Sequence, residues 1–151
     1  MPTVTRWYLK SSFLYLLAAV GVGVWLALRG LAPVPAFLAF VQPVYVHLFL
    51  VGWVTQLIFG VVYWLFPPPR EGDRHDAVWW ATFILLNIGL LLRVVAEPAA
   101  TPRPGSVWGW LLVLSALLQW AAALGFAYTT WPRARRRGRY SHERRQQAEE
   151  S

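Results

Sequence analysis

His47 is the residue most able to do chemistry. It lies in Tyr45-Val46-His47-Leu48-Phe49-Leu50-Val51-Gly52-Trp53-Val54-Thr55-Gln56-Leu57-Ile58-Phe59-Gly60-Val61-Val62-Tyr63-Trp64-Leu65-Phe66-Pro67, a stretch apolar enough for the inside of a bilayer. An imidazole in hydrocarbon is costly and needs either a partner or a function. On a helix facing the interior of a bundle it is an axial ligand for haem iron, or a neutral side chain hydrogen-bonded to a neighbour such as Thr55, Asn87 or Gln119. The other histidines, His75 and His142, fall in a charged loop and a basic tail.

The surrounding chain is that of a membrane protein. It has 151 residues, 57% of them apolar, with ten tryptophans and only 14% charged residues. That balance excludes an ordinary soluble globule. There is no cysteine, which excludes disulfides, thiolate metal sites and covalent c-type haem attachment. The net charge of +7 does not imply a nucleic-acid partner. Seven arginines lie between Arg133 and Arg145, directly after the last apolar run. There they serve as a topology signal and a contact for anionic headgroups.

Four apolar runs, about Trp7–Leu28, Ala36–Phe66, Ala77–Val95 and Val107–Trp131, each reach the ~20 residues that cross a bilayer as a helix. The first is too long, and Leu28-Arg29-Gly30 too poor a cleavage site, for a signal peptide. Pro33 and Pro35, then Pro67-Pro68-Pro69 with Arg70-Glu71-Gly72-Asp73-Arg74-His75-Asp76, then Pro98, Pro102, Pro104 and Gly105 mark the loops. Loops this short predict an all-α, integral-membrane, up-down four-helix bundle over residues 1–131. Residues 132–151 form a basic cytoplasmic tail, expected to start as coil at the membrane and to be helical or disordered beyond. The N-terminus, the second loop and the tail hold eleven of the 14 Lys and Arg residues, so both termini are expected in the cytoplasm. Trp7, Tyr8, Trp79, Trp80, Trp108, Trp110 and Trp131 sit at run ends, mostly as an aromatic belt.

On an ideal wheel of the second run, Pro43, Val51, Val54, Ile58, Val61 and Leu65 share a face with His47. Gly52, Gln56, Gly60 and Tyr63 lie opposite, and small residues let helices approach closely. The glycine face is therefore expected inside the protomer. The His47 face is left for a cofactor, a second protomer or lipid. Counted from Ala36, His47 lies about 16 Å along the helix, in the outer half of the bilayer. Arg29 and Arg93 flank the same leaflet. They could meet the propionates of a haem or simply snorkel to headgroups.

The pattern His47-Leu48-x-x-x-Gly52-Trp53-Val54-Thr55-x-x-x-x-Gly60-x-x-Tyr63-x-x-x-Pro67 resembles the second helix of haem-copper oxidase subunit I, in the nitric oxide reductase and cbb3-like branch. Arg6-Trp7-Tyr8-Leu9-Lys10-Ser11 and Leu86-Asn87-Ile88-Gly89-Leu90-Leu91-Leu92-Arg93 are similar to its first and third helices. The resemblance covers roughly the first 95 residues. It implies that His47 is an axial ligand of a haem b. The oxidase takes its other haem ligands and its copper ligands from helices beyond the fourth, and this chain has no counterpart to them. No copper centre and no oxygen or nitric oxide reduction are therefore expected of the chain alone.

A six-coordinate haem needs a second ligand. His47 of a second copy would supply it across the two-fold axis of a homodimer. The expected function is electron transfer or gas sensing in the bacterial cytoplasmic (inner) membrane, with a respiratory-chain complex as a further partner. The other reading is a non-catalytic subunit or assembly partner without haem. A channel or transporter is disfavoured: Glu97 reads as a helix-end residue, and no paired broken helices suggest a midplane site.

Overall fold

The computed structural model describes residues 2–29, 41–66, 76–100 and 107–149, and the side chains of the last segment as far as Arg133. Its described residues are all-helical. Helix α1 is Thr3–Leu28, α2 is Gln42–Leu65, α3 is Asp76–Ala100 and α4 is Val107–Glu149. All four are long and apolar enough to cross a membrane, α4 over Val107–Arg133. The reason is compositional. Runs of Leu, Val, Ala and Trp carry the helices, and a helix satisfies its own backbone hydrogen bonds without water.

The four expected runs correspond to these helices, and the differences lie at the ends. Residues 36–40, placed in the second run, lie outside the described residues. The described α2 starts at Gln42, after a non-helical Val41. Pro43 stands in its first turn, where a missing N–H costs nothing and the fixed φ favours helix. Helix α3 does not stop before Pro98. It runs on to Ala100 with the proline inside its last turn, without the backbone hydrogen bond that a proline cannot donate. Glu97 therefore belongs to the helix. Likewise α4 passes through Pro132 and continues to Glu149, so the tail starts as helix where coil was expected; arginine, glutamine, alanine and glutamate favour helix.

Helix α2 is not uniform. Gln42–His47 is α-helical, Leu48–Thr55 is π-helical and Gln56–Leu65 is α-helical again. The Thr55 hydroxyl donates to the Leu50 carbonyl five residues back at 2.8 Å, in step with the wider turn.

Close backbone approach packs the helices. An added Cβ at Gly52 would fall 2.8 Å from Tyr15 Cβ on α1, and one at Gly60 would fall 2.9 Å from Tyr8 Cβ. Gly89 of α3 meets Ser115 and Gln119 of α4, and Gly125 of α4 meets Thr82. One core cluster joins Tyr8, Phe59, Tyr63, Trp79, Leu86 and Ala122; a second joins Ala19, Val44, Leu48 and Leu90. Phe59 and Phe126 stack with centroids 3.9 Å apart. The outer surface is apolar, with Leu14, Leu17, Leu117 and Trp120 exposed.

Two belt residues proved to be core. Tyr8 is fully buried and its hydroxyl donates to the Trp79 carbonyl. Trp79 is buried edge-on against Tyr8 and Tyr63. Both residues sit on the packed side of their helices. Trp7, Trp110 and Trp131 are exposed, as a belt requires.

Candidate functional site

His47 ends the first α-helical turn and a half of α2, immediately before the π segment begins. It is the sixth residue of the described helix, about 8 Å along its axis; Ala36, from which about 16 Å was counted, lies outside the described residues. Its Nδ1 is 2.8 Å from the Pro43 carbonyl oxygen and 3.1 Å from Glu97 Oε1. A carbonyl oxygen only accepts, so Nδ1 must carry the proton. In the neutral ring the lone pair then resides on Nε2. The side chain is 25% exposed.

Glu97 is the residue that sequence reasoning passed over. Its side chain is 10% exposed, and the same Oε1 accepts from Arg93 Nε at 2.8 Å. A carboxylate this buried needs a cation and hydrogen bonds, and Arg93, one turn earlier on α3, supplies both. Reading Pro98 as a loop residue put Glu97 outside the helix and hid the pairing. The signal was present as the Arg93-x-x-x-Glu97 spacing, which places the two on one helical face.

The structure thus brings together two of the three expected site residues, His47 and Arg93, with Glu97 between them. Arg29 stands at the C-terminal end of α1, half-exposed, with no ion pair among the described residues. His75 and the side chain of His142 lie outside the described residues. Among the described residues no three His, Asp, Glu or Cys side chains form a metal-binding cluster.

The hydrogen-bond partners considered for His47 are engaged elsewhere. Asn87 Oδ1 accepts from the Tyr15 hydroxyl at 2.8 Å and from Gln56 Nε2 at 3.2 Å. Gln119 donates to the Ser115 hydroxyl, which donates to the Gly89 carbonyl. The expected stripe through His47 is also broken. Ile58, Val61 and Leu65 are exposed, but Val51 packs against both core clusters. Val51 lies within the π segment, whose wider turn departs from an ideal α wheel. The glycine face behaves as expected: Gly52, Gln56, Gly60 and Tyr63 are all buried.

A second polar group lies near the far end of α2. Arg133 Nη1 donates to the Phe66 carbonyl at 3.0 Å, and the guanidinium lies 5.7 Å from the Trp79 ring centroid and 5.9 Å from that of Tyr63. The Tyr63 hydroxyl donates to Asp76. This arrangement ties α4 to α2 and α3, and gives the first of the tail arginines a structural place.

The chain matches no protein-family profile, no curated protein and no solved structure.

Proposed function

We propose that this chain is a haem b protein of the bacterial cytoplasmic membrane, a four-helix relative of the N-terminal part of haem-copper oxidase subunit I, with His47 as axial ligand. The observation that carries the reading is the anchoring of His47 Nδ1 by the Pro43 carbonyl and Glu97. Histidine ligands to metals commonly donate the second ring nitrogen to a carbonyl or carboxylate, which leaves the other nitrogen basic and oriented. The donor set therefore fits iron in a haem. The bound haem would supply one-electron chemistry or a site for a diatomic gas.

The remaining features of the reading follow the helix pairing. Tyr8 with Gly60, Tyr15 with Gly52 and Tyr45 with Gly23 run in opposite chain order, as an up-down bundle requires. The arginine asymmetry supports both termini lying in the cytoplasm. His47, Glu97 and Arg93 then lie toward the outer side. Arg93 uses Nε on Glu97 and has further N–H groups for a propionate; Arg29 is the second candidate. Val46 and Leu50, beside His47, are exposed apolar residues. They are suited to a second copy whose His47 would complete a bis-histidine site.

Substitution tests the assignment. His47→Ala should lose haem, whereas His75→Ala and His142→Ala should keep it. A shared site gives one haem per two chains, a low-spin spectrum and no response to carbon monoxide. One haem per chain with ready carbon monoxide binding would favour an open site and gas sensing. The competing reading is a haem-free subunit or assembly partner. It draws on the same pair, because Glu97 and Pro43 already satisfy an intramembrane imidazole without metal.

A further inference from the structure

Glu97 connects α3 to the ring of His47 on α2. It is a carboxylate on α3, buried, neutralised by Arg93 on its own helix, and touching the ring of His47 on α2. The Arg93–Glu97 ion pair needs no third partner for its charge. Yet one oxygen, Oε1, lies 2.8 Å from Arg93 Nε and 3.1 Å from His47 Nδ1. That oxygen lies between the two, beside an Nδ1 whose single proton is also within reach of the Pro43 carbonyl at 2.8 Å.

We infer that Glu97 is a positioning residue for His47, with Arg93 as its anchor, and that the three residues form one unit that presents Nε2 of His47 to a haem iron. The inference rests on the haem reading for its ligand, but not for its geometry. Pro43 alone already favours a proton on Nδ1, through a carbonyl on the same helix. Glu97 adds two things that Pro43 cannot. It reaches from another helix, so it fixes the rotation of the imidazole relative to the bundle. It also brings negative charge to the N–H, which makes Nε2 a stronger donor to ferric iron. Arg93 keeps the carboxylate in place. Because it is a cation, it also tempers the charge that the ring feels.

The experiment uses the full chain in detergent micelles, with haem added to the apo-protein. Glu97→Gln keeps the shape and a hydrogen-bond acceptor but removes the charge; Glu97→Leu removes both. The midpoint potential should rise in Glu97→Gln, because ferric iron loses more than ferrous iron when the anionic acceptor is removed. Haem affinity should fall about 10- to 100-fold in Glu97→Leu, the usual effect of losing an outer-shell partner. A Glu97→Gln protein with unchanged potential, or a folded Glu97→Leu protein with unchanged haem affinity, overturns the inference.

A second measurement is independent of haem. In the His75→Ala/His142→Ala background only one histidine remains. Its 15N resonances in the apo-protein should show Nδ1 protonated and Nε2 bare; Glu97→Leu should keep that tautomer, which Pro43 holds, but shift the Nδ1 and Nδ1–H resonances as the carboxylate beside them is lost. Resonances unmoved by Glu97→Leu would refute the positioning role. Apo-protein with the expected resonances but no affinity for haem would refute the haem reading and leave the positioning role standing.

Discussion

At the scale of single residues, Glu97 Oε1 lies between Arg93 of its own helix and His47 of α2. An imidazole within an apolar run stands out without any structure. The identity of what it touches depends on where α3 ends, and Pro98 misdirected that reading. The interior amides show the same limit. Gln56 and Asn87 were visible as polar residues in apolar sequence, but their convergence with Tyr15 required the helix packing. This convergence has a measurable cost. Asn87→Leu leaves the Tyr15 hydroxyl and Gln56 Nε2 without their shared acceptor. Interhelical hydrogen bonds in membrane proteins contribute roughly 0.6 kcal/mol on average and up to about 1.7. Asn87→Leu should therefore destabilise the detergent-solubilised protein by about 1–2 kcal/mol. Tyr15→Phe, which removes one donor and leaves the acceptor engaged by Gln56, should cost less. Denaturant titration followed by tryptophan fluorescence measures both; equal stability of all three proteins would show that the amide cluster is not an organising contact.

At the scale of elements, hydropathy gave the helices and could not give the turn within α2. An ideal wheel assigns Val51 and Ile58 to one face, yet Val51 packs inward and Ile58 is exposed. No sequence periodicity over so short an apolar segment distinguishes α from π. The glycines were better guides, because their smallness matters whatever the turn. Gly52→Leu and Gly60→Leu should each prevent normal assembly, since even the first carbon of a side chain would collide with Tyr15 or Tyr8 near its backbone. Gly21 supplies the contrast. A Cβ there meets nothing within 4 Å, and alanine exceeds glycine in helix propensity by about 1 kcal/mol. Gly21→Ala should therefore be neutral or slightly stabilising. Size-exclusion profiles and melting temperatures of the three variants check this; a Gly60→Leu protein that assembles normally would count against the α1–α2 contact.

For the whole molecule, the charge distribution is the strongest large-scale signal. The tail arginines, the second loop and the N-terminus carry most of the positive charge, and Arg133, the first of the tail, is tucked against Trp79 and Tyr63. Reporters fused ahead of Met1 and after Ser151 should both read cytoplasmic. A reporter on the opposite side at either end would overturn the up-down arrangement and, with it, the placing of His47 toward the outer side. The tail was harder to read at this scale, because a run of arginine is compatible with solvated coil and with helix alike. Only the backbone shows that α4 continues to Glu149.

The central claim is that His47 binds haem iron, and the optical spectrum of the purified chain tests it most directly. The account predicts a red protein with a Soret band and with sharpened visible bands on reduction, as low-spin haem b gives. It predicts the loss of all of these in His47→Ala. A wild-type protein that stays colourless after expression with ample haem would contradict it, as would a His47→Ala protein that keeps the wild-type spectrum.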